Sequence, residues 1–140
     1  MTNESPFRPI QPDDETRVGP RGILICGYAP DAAAPLQTLL AQINAPEAPL
    51  VFCTEAMLAQ SLEEALTEPA AGSPAPPDKL PPVMVLSGLT GRELHTFLEQ
   101  FDAANLPRPI FAAATTINLT FTVRQLLIAL LQENRARQET

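Results

Sequence analysis

Ile23-Leu24-Ile25-Cys26-Gly27 and Met84-Val85-Leu86-Ser87-Gly88 are the two stretches on which the fold turns. Each is a short apolar run closed by glycine, and each is followed by a helical pattern and a second apolar run. Pro49-Leu50-Val51-Phe52-Cys53-Thr54 follows the first, and Pro109-Ile110-Phe111-Ala112-Ala113-Ala114-Thr115 follows the second. Between the runs lie matching helical anchors: Leu36, Leu39, Leu40 and Ile43, then Leu94, Phe97, Leu98 and Phe101. The same strand, helix, strand, helix order is written twice, and the chain reads as an internal duplication.

Strands are expected over residues 22 to 27, 49 to 53, 83 to 87 and 109 to 114. Their apolar runs are continuous rather than alternating, as strands covered on both faces require. Each predicted helix opens on a capping residue. Asp31 caps the first, with Pro35 near the turn where a missing N–H costs little. Thr54 caps the second, which buries Leu58, Leu62, Ala65 and Leu66. Thr90 with Glu93, and Thr122 with Gln125, form capping boxes for the third and fourth. Strand alternating with helix predicts an α/β domain: a small open parallel four-stranded sheet layered with helices and built from two similar βαβα halves. If each half winds outward from a common start, the strand order is 2-1-3-4, with a pseudo-two-fold axis along the strands.

Two segments fall outside that core. Residues 1 to 20 hold four prolines and the acidic run Asp13, Asp14 and Glu15, and read as a disordered or loosely attached tail. Residues 69 to 82 hold six prolines, a density that permits neither helix nor ladder, and read as a linker. The remaining single α/β domain spans 21 to 137, as halves 21 to 68 and 83 to 137. Pro74-Ala75-Pro76-Pro77 can adopt polyproline II, although a plain spacer is the simpler role.

A net charge of -7 with a single lysine, Lys79, argues against nucleic acid and against an anionic membrane surface. There is no apolar run long enough to span a bilayer and no signal-peptide pattern, so a cytoplasmic address is expected. Cys26 and Cys53 occupy corresponding places near the ends of the first two strands. A disulfide between neighbouring parallel strands is awkward, and buried free thiols packed as small hydrophobes are the leading reading over a reactive thiol or metal contact.

In an open parallel sheet of this order, ligands belong in the crevice outside the carboxyl ends of strands 1 and 3. Gly27 and Tyr28 would frame one side, and Ser87, Gly88 and Thr90 the other, with Thr116 and Asn118 from the last strand-to-helix loop. Two helix N-termini, with Arg92 and Arg124 nearby, would favour a small anionic metabolite such as a phosphate or carboxylate. Against this, Asp31, Glu55 and Glu93 lie at the same helix ends and compete for those donors. The loop residues also serve plain capping roles, and Phe121 packs as a staple.

Motifs for phosphate loops, dinucleotide folds, serine hydrolases and zinc proteases are missing, and no catalytic residue, cofactor or metal ligand is assigned. His95, the only histidine, lies off the apolar stripe of its helix and reads as a surface residue. The run Leu126-Leu127-Ile128-Ala129-Leu130-Leu131 is apolar all round. It predicts either deep cover or a contact with another chain, with Leu127 and Leu131 as interface residues of a homodimer.

The second half, from Leu86 to Asn134, resembles a bacterial family known as domain of unknown function 3783. Ser87-Gly88-Leu89, Arg92-Glu93-Leu94, Pro109-Ile110-Phe111-Ala112, Thr115, Asn118 and Phe121-Thr122 carry the resemblance, with the Leu-rich helix ending at Glu133. The family tends to have Trp where this chain has Phe121. The resemblance implies a small cytosolic bacterial protein and supplies no activity. The expected function is a non-enzymatic interaction or regulatory module that self-associates. The alternative is a binding module for a small anionic metabolite; an enzyme comes third.

Overall fold

The computed structural model describes residues 18–72 and 79–138. Its strands are β1 (Gly22–Cys26), β2 (Leu50–Phe52), β3 (Val83–Ser87) and β4 (Ile110–Ala113). The helices are α1 (Ala33–Gln42), α2 (Leu62–Thr67), α3 (Gly91–Gln100) and α4 (Val123–Gln138). The strands form one sheet in the order β2-β1-β3-β4, as the sequence predicts.

Their directions correct the expectation of a purely parallel sheet. β1 runs parallel to β2, and β3 to β4, but β1 and β3 are antiparallel, with Leu24 opposite Val85 at the centre of their register. The sheet is mixed. The cause lies in the connection from β2 to β3. α2 has six residues, about 9 Å of rise, too little to carry the chain back along the sheet. The chain then turns alongside β2, so that Gly72 comes to rest against Thr54, just beyond the end of β2. Pro81 and Pro82 lie against Gly27, where β1 finishes, and β3 sets out from there in the opposite direction.

With this order and these directions, a half-turn about an axis normal to the sheet carries β1 onto β3 and β2 onto β4. Such an axis keeps each face on its own side. Ile23, Ile25, Met84 and Leu86 accordingly pack with α1 and α3, while Leu24, Cys26, Val83 and Val85 pack with α2 and α4. The first face is aromatic. Phe97, Phe101 and Phe111 meet at centroid distances of 5.0 to 6.3 Å, two of the three pairs edge to face, an arrangement that adds about 0.5–1.5 kcal/mol per pair to plain burial. The second face holds smaller side chains around Cys53, Met57, Ala65 and Val123.

On that second face the halves also meet through backbone. Ser61 and Thr122 form an antiparallel bridge, flanked by Leu62 N–H donating to Phe121 O and Val123 N–H donating to Gln60 O, both at 2.9 Å. This contact moves the start of α2. A 3-10 turn covers Ala56–Ala59, and Ser61, held extended by the bridge, becomes the cap of α2 in a capping box with Glu64. Thr54 accepts from Met57 N–H and opens the 3-10 turn instead. Asp31 likewise sits inside a 3-10 turn, Pro30–Ala32, and α1 has no side-chain cap. The boxes of Thr90 with Glu93 and Thr122 with Gln125 form as predicted.

Residues 18 to 20, expected within the tail, pack on the domain: Val18 O accepts the Gly88 N–H at 2.9 Å. The rest of that tail, and Pro74-Ala75-Pro76-Pro77 of the linker, lie outside the described residues.

Candidate functional site

The antiparallel joint separates the two turns expected to frame one crevice. Gly27 follows the last residue of β1 and Gly88 the last residue of β3, so they stand at opposite ends of the sheet, roughly 20 Å apart along the strands. Each has a left-handed backbone, with φ of +79° and +70°. Each also presses on the chain entering the neighbouring strand. A Cβ on Gly27 would lie 2.5 Å from Pro81 O, and one on Gly88 would lie 2.5 Å from Arg21 Cα. The glycines are required by the protein's own backbone.

At the β3 end, the groups expected to hold an anion are engaged by the chain itself. Gly88 N–H donates to Val18 O, and the buried Ser87 hydroxyl donates to the same carbonyl at 3.4 Å. Glu93 accepts from Thr90 N–H at 2.9 Å and takes both terminal nitrogens of Arg21, at 2.8 and 2.6 Å. Arg21 also donates to Gly88 O at 3.1 Å and, through Nε, to Glu47 at 2.7 Å. The Glu93 carboxylate raises the pKa of this guanidinium further. Glu47 is held below the usual carboxylate range by its own backbone N–H and by Arg21. The start of α3 therefore carries an internal carboxylate where a bound anion would sit. Arg21 carries one sequence signal, as the only cation between Val18 and Asp78.

Thr116 and Asn118 share this end of the sheet, because β4 parallels β3. Thr116 is exposed. Asn118 holds its own loop: its side chain accepts from Thr115 N–H at 2.7 Å and donates to Ala113 O at 3.2 Å. Ser87, Gly88, Thr90, Thr116 and Asn118 are thus gathered at one end, and Gly27 and Tyr28 stand at the other. Tyr28 is buried, its hydroxyl donating to Pro107 O, and burial pushes its pKa up to about 12. Arg92 and Arg124 are exposed, as is His95, whose Nε2 lies 3.2 Å from Glu99.

Sequence patterns gave no sign of one feature, a cleft at the edge of the sheet. A cleft of about 320 Å³ is lined by Leu50, Val51 and Phe52 of β2, by Thr54 and Met57 beyond it, and by the returning segment Pro69–Gly72. Cys26 and Cys53, both free and buried as expected, are neighbours across β1 and β2. Among the described residues, no group of three or more His, Cys, Asp or Glu is placed to hold a metal ion. None of the described helices is long and apolar enough to cross a membrane.

The Leu-rich helix divides into two sides. Val123, Leu126 and Leu127 are buried against the sheet, so Leu127 belongs to the core of its own chain. Ile128 and Leu131, one turn apart, are 49% and 37% exposed.

Residues 82–136 match the model of a family described as Domain of unknown function (DUF3783). The match begins just before β3 and ends within α4, covering the second half of the fold. No curated protein and no solved structure matches the chain.

Proposed function

We propose that this domain is a non-enzymatic interaction module, regulatory in role, that pairs with a second copy of itself through the outer ridge of α4. The observation that carries the reading is the outward pair Ile128 and Leu131 on the longest helix of the fold. Two large aliphatic side chains left in water on adjacent turns lose contact area that a facing helix would restore. An ordinary interface buries about 800 Å² per partner, more than two side chains offer. The pair is then the apolar centre of a larger patch, with the exposed Arg124, Gln132 and Arg135 as its polar rim. The internal partners of Ser87, Gly88 and Thr90 add support, since those groups are already engaged within the chain.

The test is sedimentation velocity across a concentration series. The natural chain is expected to sediment as a dimer, and Ile128→Lys and Leu131→Lys as single chains with unchanged circular dichroism and melting. A natural chain that stays monomeric up to about 0.1 mM, where even a weak Kd would show, sinks the proposal.

We also read the two halves as copies of one unit, in a cytoplasmic bacterial protein. Acidic charge and two free thiols support the location. The support for duplication is that equivalent devices recur at one constant interval, that from Gly27 to Gly88. At this interval Pro20 answers to Pro81, left-handed Asn44 to Asn105, and bridged Ser61 to Thr122. The reciprocal contacts of Thr54 with Met57 answer to those of Thr115 with Asn118. Relatives whose first halves match the same family model would strengthen this reading; first halves that consistently match an unrelated family would end it.

A further inference from the structure

We propose that Cys53 and Cys26 form an oxidation site for small hydroperoxides, in which Cys53 is the sulfur attacked from the cleft beside β2 and Cys26 closes an intrachain disulfide with it. The geometry begins in the parallel ladder. Ile25 is in register with Phe52, and Cys53 N–H donates to Ile25 O at 2.9 Å, which makes Cys26 and Cys53 the next neighbours across β1 and β2. Both side chains belong to the cluster on the α2 and α4 face. Neighbouring strands lie about 4.8 Å apart, within the Cα separation of about 4.4–6.8 Å that a disulfide accepts. The Cβ atoms must close by a further ~1 Å, and both residues lie where closure is easiest. Cys26 is the last residue of β1, and Cys53 the first beyond β2.

The fold itself does not demand sulfur here. At the interval that relates the two halves, Ser87 stands for Cys26 and Ala114 for Cys53, and both are buried in the same way. A small polar or apolar side chain therefore satisfies the packing, and the thiol pair is particular to the first half.

The two sulfurs are unequal. The neighbouring thiol and burial push the Cys26 thiol up, while the nearness of Cys26 draws the Cys53 thiol down. In its neutral form Cys53 donates to Thr54 O at 3.4 Å, and the thiolate left by loss of that proton is the attacking species. Cys53 is also the sulfur nearer the cleft: it is buried and does not line the wall, but Phe52 and Thr54 on either side of it do, with Met57. Only a reagent little larger than water needs to pass, so the site selects hydroperoxides over bulky disulfides.

The chemistry balances. The Cys53 thiolate attacks one peroxide oxygen, the O–O bond breaks, and the other oxygen leaves as hydroxide or alkoxide and takes up a proton. The Cys53 sulfenic acid is then attacked by Cys26 sulfur, the S–S bond forms, and water departs with the Cys26 proton. The dithiol loses two electrons and the hydroperoxide gains them.

The experiment exposes the reduced full chain to hydrogen peroxide and reads intact mass, free thiols and peptide map. The expected result is loss of two hydrogens and of both thiols, with peptides containing Cys26 and Cys53 joined. Cys26→Ala should instead give a Cys53 sulfenic acid trapped by dimedone, and Cys53→Ala should leave the Cys26 thiol intact. Should either variant fail to fold, dimedone trapping in the natural chain still shows which sulfur reacts first. Three results would overturn the proposal: thiols that react only once urea has unfolded the chain, first attack at Cys26, or oxygen gained at the neighbouring Met57 with no disulfide.

Discussion

Gly27, after β1, and Gly88, after β3, hold the same left-handed backbone and press on an incoming chain in the same way, yet their surroundings differ. At Gly27 the incoming chain is Pro81–Pro82, stiff by itself, and the following helix starts without a side-chain cap. At Gly88 the incoming chain is Pro20–Arg21, and it is tied down by charge, with Arg21 on Glu93, and Glu93 on the capped start of α3. Ala32 stands where the second half has Glu93. The steric requirement is common to both turns, and what differs is how each approach segment is held.

The largest effects should fall equally on the two turns. Gly27→Val and Gly88→Val each combine a strained φ with a backbone clash, and each is expected to lose roughly 3 kcal/mol or more in urea denaturation. A large loss at one and tolerance at the other would break the equivalence. Next comes a change available only at the β3 end. Glu93→Gln removes the charge facing a largely buried Arg21 and should cost about 2 kcal/mol by the same measurement. A neutral result would mean that Val18 and Arg21 are held by packing alone.

A smaller effect sharpens the β1 end. Tyr28→Phe leaves Pro107 O without its donor and should cost about 1.5 kcal/mol. Burial raises the Tyr28 pKa to about 12, so the folded chain keeps a proton that the unfolded chain releases near pH 10. The associated stability is complete below about pH 10 and is lost as pH rises toward about 12. Melting curves across that range should show the decline in the natural chain and lack it in Tyr28→Phe. Thr90→Ala closes the series at about 1 kcal/mol, an ordinary N-cap loss, and brings α3 closer to the uncapped start of α1.

What local sequence could specify was legible. The four strands fall within a residue or two of their expected bounds, and Thr90 and Thr122 cap as their spacing predicts, because such features depend on neighbours a few residues away. The direction of β3 was not legible. Continuous apolar runs report that both faces are covered, which an antiparallel central pair satisfies as well as a parallel one. Direction was decided by a short α2 and by the return of Pro69–Gly72 alongside β2, neither of which leaves a periodic signal. The cap at Ser61 depends on a bridge to Thr122, and Arg21 on a carboxylate far along the chain, so both needed the tertiary structure. The crevice expected between strands 1 and 3 was drawn from parallel strands, and the antiparallel joint divides its residues between the two ends of the sheet.

The joint between β1 and β3 has a consequence for any shorter chain built from one half. β3 pairs antiparallel with β1, and an antiparallel pair is a geometry that two copies of one strand can also form. A polypeptide carrying only the second half would expose the edge of β3, and two such polypeptides would complete the same four-stranded sheet, with Val85 facing Val85 on the axis in place of Leu24 facing Val85. On the proposal that the halves are copies of one unit, the present domain is folded like a dimer whose subunits share one covalent chain, and the covalent link makes that pairing independent of concentration.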